Sequence, residues 1–171
     1  KLAAWAWGKY GKGAVKMHTL LDLRGSIPAN IHITDGKWHD SNELDRLSPE
    51  PYAFYVMDKA YVDFKALFTF HQAKSFWVSR PKGNMRFATI KQMEITDSRS
   101  RILEDSHIRL TGYKSSRLYP DNMRFIRVYD SDNDDIIDLI SNNFEVGATE
   151  ISALYRHRWD IEVFFKWIKQ N

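Results

Sequence analysis

The chain has 171 residues, of which 43% are hydrophobic, 14% aromatic and 27% charged, with a net charge of +3 and a pI near 9.0. That is enough apolar surface for one core and too little charge bias for a disordered chain. The absence of cysteine excludes disulfide frameworks, thiolate zinc sites and thiol catalysis, and fits a reducing compartment. No apolar run approaches the ~20 residues of a membrane span, and no charged-then-apolar leader opens the chain, so it reads as soluble and cytoplasmic with no membrane partner.

Net charge by segment is +4 over 1–24, −2 over 25–79, +6 over 80–127, −7 over 128–150 and +2 over 151–171. The near balance of the whole conceals basic segments that suit a polyanion. The chain opens at Lys1 and stops at Asn171 inside a helical pattern, so it reads as a piece of a longer protein.

In chain order, residues 14–23 alternate, with Val15, Met17, Thr19, Leu21 and Leu23 on one face and Lys16, His18 and Asp22 on the other, the period of a half-buried strand. Arg24-Gly25-Ser26 reads as a turn and Ile27 to Thr34 as a second strand, giving an antiparallel hairpin. A loop with Trp38, His39 and Asp40 leads to a short helix at Ser41–Leu47. Tyr52 to Met57 is apolar on both faces, as in a central strand covered by helices on both sides of a sheet. Asp63 is an N-cap for a helix carrying Phe64, Leu67, Phe68 and His71, followed by a strand at Ser75–Ser79. This is a βαβ unit. Four short strands follow, at Phe87–Ile95, His107–Thr111, Met123–Tyr129 and Ile136–Ser141, and then one helix from about Thr149 to Lys169.

The chemistry-bearing candidates are few. Asp58 stands where a buried strand ends, the position at which open α/β sheets hold ligands; a turn or helix-capping role is equally open. On the last helix, at ~100° per residue, Tyr155, Arg158, Glu162, Lys166 and Lys169 share an arc of roughly 80° bordering the apolar arc of Leu154, Ile161, Phe164, Phe165 and Ile168. A cleft lined by that stripe would hold a metal or an anion; an exposed ion-pair ladder is the alternative. Two carboxylates from a strand end and a helix are the hard ligands that magnesium takes for phosphoryl transfer. His32, Asp35, His39 and Asp40 make a weaker metal candidate, with capping and core contacts favoured. Gly8, Gly11 and Gly13 lack the Gly-Lys-Ser/Thr of a phosphate-binding loop.

Tyr155-x2-Arg158-x3-Glu162-x6-Lys169 resembles the signature of DDE transposases of the insertion sequence 4 family in all four residues and all three spacings, and KGAVKMHTLLDLRG, HITDGKWHD, FYVMDKAYVDF and RWDIEVFFKWIKQ are also similar to that family. The resemblance covers nearly the whole chain. It implies an α/β, ribonuclease-H-like mixed sheet flanked by helices, with a β-rich insertion before the last catalytic helix: core at 1–80 without its first strand, insertion at 81–147, catalytic helix at 148–171. It implies that Asp58 and Glu162 are the second and third acids of a catalytic triad and bind two magnesium ions, with manganese able to substitute. Tyr155, Arg158, Lys166 and Lys169 would contact DNA. The first aspartate of the triad belongs to a strand upstream of the hairpin. Asp22 lies on a later strand, so this piece is expected to be inactive alone. For the parent protein the resemblance implies cleavage at transposon ends, strand transfer into target double-stranded DNA and a homodimeric synaptic complex. A metal-dependent nuclease of the same fold and an inactive, transposase-derived DNA-binding module are the alternatives.

Overall fold

In the computed structural model the described residues are 15–25, 27–35, 37–95 and 100–170. The chain divides into two compact units, residues 1–47 with 159–171, and residues 48–158.

In the first unit, β1 (Val15–Asp22) and β2 (Ile27–Asp35) form the expected antiparallel hairpin, with Lys16 opposite Thr34 and His18 opposite His32. The register shifts between Leu20 and Leu21, where Pro28 enters the ladder; proline has no N–H to donate, and a bulge there spares a broken rung. The helix expected at 41–47 is a 3₁₀ segment, Asp40–Arg46, closed by i→i−3 bonds such as Asn42 N to His39 O and Leu47 N to Leu44 O. The face of the hairpin that is buried is not the apolar one. His18 and Thr34 are buried, whereas Ile27, Ile31 and Ile33 are exposed. The 3₁₀ segment accounts for this: Lys16 donates to Trp38 O (2.8 Å) and pairs with Asp40 (3.1 Å), and His32 Nδ1 meets Glu43 Oε2 at 2.8 Å, so the polar face carries the docking.

The second unit is a six-stranded mixed sheet. Its elements are β3 (Phe54–Val56), α1 (Phe64–Gln72), β4 (Phe76–Ser79), β5 (Phe87–Gln92), β6 (Ile102–Leu110), α2 (Ser115–Leu118), β7 (Met123–Asp130), β8 (Asp135–Ser141) and α3 (Ala148–Arg156). The strand order is β3-β4-β8-β7-β6-β5, with β3 and β4 parallel and every other pairing antiparallel. The βαβ unit is therefore present, and the later strands extend its sheet. Along β4, Trp77 and Val78 point to opposite faces and both are fully buried. Val78 joins Ile102, Ile126, Val128, Leu139 and the Ile151 and Tyr155 side chains of α3 in one cluster. On the other face Trp77 packs edge-on against Tyr119, and Tyr55 against Phe70 of α1.

Helix α1 starts as read, with the Asp63 carboxylate accepting from Lys65 N (3.0 Å) and Ala66 N (3.1 Å). It ends without a glycine: Lys74 takes φ 60°, its N–H bonds His71 O, and Ser75 N bonds Phe70 O, the paired bonds of a Schellman cap. The single long helix expected from 149 to 169 is two helices, α3 and α4 (Arg158–Gln170). At His157, ψ is −8° and the N–H bonds Leu154 O, which takes one residue out of the i→i−4 ladder. No helix among the described residues is long and apolar enough to cross a membrane.

Candidate active-site edge

Strands β3 and β4 run in parallel and end side by side, Met57 N donating to Val78 O at 3.1 Å. Asp58 and Arg80, each two residues beyond the paired Val56 and Val78, therefore both emerge at the carboxyl edge of the sheet. The two carboxylate oxygens of Asp58 do different things. Oδ1 accepts from Ala60 N at 3.0 Å and caps the 3₁₀ turn Lys59–Tyr61. Oδ2 faces Nη1 of Arg158 at 3.7 Å, an ion pair beyond hydrogen-bonding distance. The carboxylate is 40% exposed and the guanidinium 18%, so the pair borders solvent.

Tyr155 comes from the last turn of α3 and packs in the cluster beneath this edge. Burial raises its hydroxyl above the ordinary pKa of 10.0; nearby Arg158 and Arg80 oppose the shift, and Asp58 adds to it. The phenol stays protonated at neutral pH. It makes no hydrogen bond of good geometry, although Arg158 stands close enough to act on it electrostatically. One anion, two cations and a neutral hydroxyl thus gather at the ends of β3 and β4.

The expected stripe is divided. Tyr155 belongs to α3 and the rest to α4, with the break at His157 between them. Tyr155 and Arg158 share the second unit with Asp58. Glu162 and Lys166 are exposed on α4 in the first unit, one turn apart, and Lys169 lies on the same helix. The apolar arc of α4 is only half covered: Ile161, Phe164 and Phe165 are half-buried and Ile168 is exposed.

Arg80 is the residue that the sequence reading missed. The strand-end rule that singled out Asp58 applies equally to the residue after β4. The weaker metal candidate resolves into structural contacts, since Asp35 accepts from Lys37 N and Trp38 N, Asp40 pairs with Lys16 and His32 with Glu43. Among the described residues no three histidine, aspartate or glutamate side chains converge as a ready-made metal site. Asp58 nevertheless offers the hard oxygen donor that magnesium prefers, with one oxygen turned away from its capping bond.

A family model described as "Transposase DDE domain" matches residues 2–171. The protein described as "Putative transposase y4zB" of Sinorhizobium fredii (strain NBRC 101917 / NGR234) is 33% identical over 174 residues, spanning 100% of this chain and 48% of the relative. A second, "Probable transposase for insertion sequence element IS5377" of Geobacillus stearothermophilus, is 28% identical over 166 residues, 96% of this chain and 43% of the relative. The chain thus spans about half the length of the curated relatives it matches. The mixed sheet flanked by helices agrees with the ribonuclease-H-like class that this family implies.

Proposed function

Because the chain belongs to the family of transposase DDE domains, we propose that it is part of the catalytic domain of a DNA transposase that cleaves transposon ends and transfers them into target DNA. One observation carries this reading: Asp58, at the carboxyl edge of parallel β3 and β4, faces Arg158 at 3.7 Å, so a carboxylate suited to a metal and a cation suited to phosphate meet at one point. In this reading residues 1–80 belong to the core, 81–147 are the inserted strands and 148–171 the last catalytic segment.

Asp58 and Glu162 are the metal-holding carboxylates. When bound, two magnesium ions, or manganese in their place, supply activation of the attacking oxygen and stabilisation of the leaving one. Arg158, Lys166 and Lys169 bind DNA phosphates, Arg158 exchanging its partner Asp58 for a phosphate oxygen, which it can take bidentately. Tyr155, held neutral, has a hydroxyl to donate behind Arg158. The DNA is double-stranded, and the synaptic complex of the parent protein is a homodimer.

The test is cleavage of end-sequence DNA by the intact parent protein with magnesium. Glu162→Gln should abolish cleavage while leaving DNA binding in place; unchanged cleavage would overturn the assignment. Cleavage without strand transfer would instead identify a nuclease of the same fold, and binding without cleavage in the unaltered protein an inactive DNA-binding module.

A further inference from the structure

The connection from β8 to α3 is held by an unusually placed arginine. Arg124 of β7 and Asp105 of β6 are diagonal neighbours on one face of the sheet, since His107 lies opposite Arg124 and Ile126 opposite Asp105. Their side chains are 8% and 10% exposed. The guanidinium meets the carboxylate as a two-pronged fork, Nε to Oδ1 at 2.8 Å and Nη2 to Oδ2 at 2.7 Å. The remaining prong, Nη1, donates to the backbone carbonyls of Val146 and Asn143.

Around it the 142–147 segment is tied down at nearly every residue. Asn142 accepts from Trp77 N (2.8 Å) and donates to Ser75 O (2.8 Å). Asn143 Oδ1 accepts from Glu145 N (3.0 Å) and Val146 N (2.8 Å). Helix α3 begins immediately afterwards, and its N-cap, Gly147, brings no side-chain capping bond. The start of α3 is therefore fixed by the hold of Arg124 on the carbonyl one residue earlier. From that point the helix carries Ile151 and Tyr155 into the core on one stripe, and Arg158 follows to face Asp58.

Stability alone is a poor reason for such a pair. A buried ion pair costs so much to desolvate that well-packed apolar residues in its place are often as stable or more so. An apolar pair cannot hold a carbonyl, and lysine has no planar fork with which to grip a carboxylate and a carbonyl together.

We infer that Arg124, locked by Asp105, is a positioning residue that sets α3 so that Tyr155 and Arg158 stand at the Asp58 edge. The inference rests on the reading of Arg158 as a phosphate contact, and its test keeps the two apart. In the intact protein, compare Arg124→Met combined with Asp105→Leu, which replaces the pair by apolar side chains, with Arg124→Lys, which keeps the charge and loses the fork, and with Arg158→Gln. Two readouts are taken: affinity for end-sequence DNA across a salt series, and titration of the Tyr155 phenol by ¹³Cζ NMR, assigned with Tyr155→Phe. The expected result is that both Arg124 variants fold, titrate Tyr155 closer to an ordinary tyrosine, bind DNA about tenfold more weakly, as for loss of one charge-assisted contact, and lose about one unit of salt slope. Adding Arg158→Gln to them should cost little more. If the Tyr155 titration and the DNA affinity stay at wild-type values in a folded Arg124 variant while Arg158→Gln weakens binding, Arg124 is structural only and the inference falls. If Arg158→Gln itself leaves binding unchanged, the phosphate reading of Arg158 falls, whatever the titration shows. Should the apolar pair not fold, Arg124→Lys gives the same two readouts.

Discussion

Two aspartates five residues apart, Asp58 and Asp63, both cap helical turns, and substituting each separates a structural role from a chemical one. Asp63→Ala removes the acceptor for two N–H groups, those of Lys65 and Ala66; loss of such a cap costs about 1 kcal/mol, or roughly 0.5 M in the urea midpoint at a slope of about 2 kcal/mol/M. Asp58→Asn keeps an Oδ1 acceptor for Ala60 N and loses only the ion pair at 3.7 Å to Arg158, whose carboxylate is 40% exposed. Pairs this open to solvent contribute about 0–1 kcal/mol, so the midpoint should move by less than in Asp63→Ala. Cleavage should behave in the opposite way. Loss of a metal-holding carboxylate removes about 4 kcal/mol of transition-state stabilisation, which at 1.36 kcal/mol per decade is about a thousandfold in rate. Asp63→Ala leaves a domain of typical stability overwhelmingly folded, and its cleavage rate should stay within about twofold of wild type. Urea unfolding and end-DNA cleavage by the intact protein measure both quantities. An Asp58→Asn protein that is as destabilised as Asp63→Ala and still cleaves normally would refute the reasoning and leave Asp58 a capping residue.

Two further expectations concern the fold. Lys74 holds φ 60° at the end of α1, a conformation that costs an L-residue about 1–2 kcal/mol and glycine very little; Lys74→Gly should raise the unfolding free energy by about 0.5–1 kcal/mol after the added chain entropy, and a lower urea midpoint would contradict the cap. In the hairpin unit, burial lowers the pKa of His18 from its ordinary 6.5, helped by Lys16 and His32 and opposed by Glu43 and Asp40. The folded state thus binds that proton less readily than the unfolded chain, so its share of stability is present above about pH 6.5 and is lost as pH falls from there toward the lowered folded value. His18→Gln should show a smaller drop in unfolding midpoint between pH 7.5 and 5.5 than wild type, and equal drops would refute the assignment.

What the sequence made legible is what is local. Asp63 announces the start of α1, and four strand-like pieces between 87 and 141 are four strands, whereas the apolar run at 52–57, which reads as a central covered strand, is the short, half-buried β3 at the end of the sheet order, with Tyr52 exposed. Partnership is not local. Nothing in Phe76–Ser79 says that it pairs with a strand sixty residues later, and that pairing makes β5 to β8 one sheet with β3 and β4. The hairpin misleads for a related reason: its alternation marks an apolar face, but the polar face holds the docking, through Lys16, His32, Asp40 and Glu43. The end of α1 is silent because a lysine takes the conformation that usually calls for glycine. The break at His157 depends on a single ψ angle, to which helical periodicity is blind. Arg124 reads in sequence like any surface arginine, and only its burial beneath the start of α3 gives it a role.

The candidate site shows how far a motif carries and where geometry takes over. The spacing Tyr-x2-Arg-x3-Glu-x6-Lys presumes one unbroken helix, whereas the chain divides it at His157 between α3 and α4. Yet Arg158, the second residue of the signature, does reach the aspartate that the strand-end rule selected on independent grounds. The two readings of Asp58 that sequence leaves open, cap and site residue, need not exclude each other, because a carboxylate has two oxygens. Oδ1 serves the 3₁₀ turn and is satisfied by a backbone N–H, which fixes the side chain's direction. Oδ2 is left to interact with charge, and in the chain by itself that charge is Arg158. A cap that orients a carboxylate at a strand end costs the protein little stability and holds the group rigidly, as a metal ligand requires. The structural role of Asp58 therefore supports its proposed chemical one.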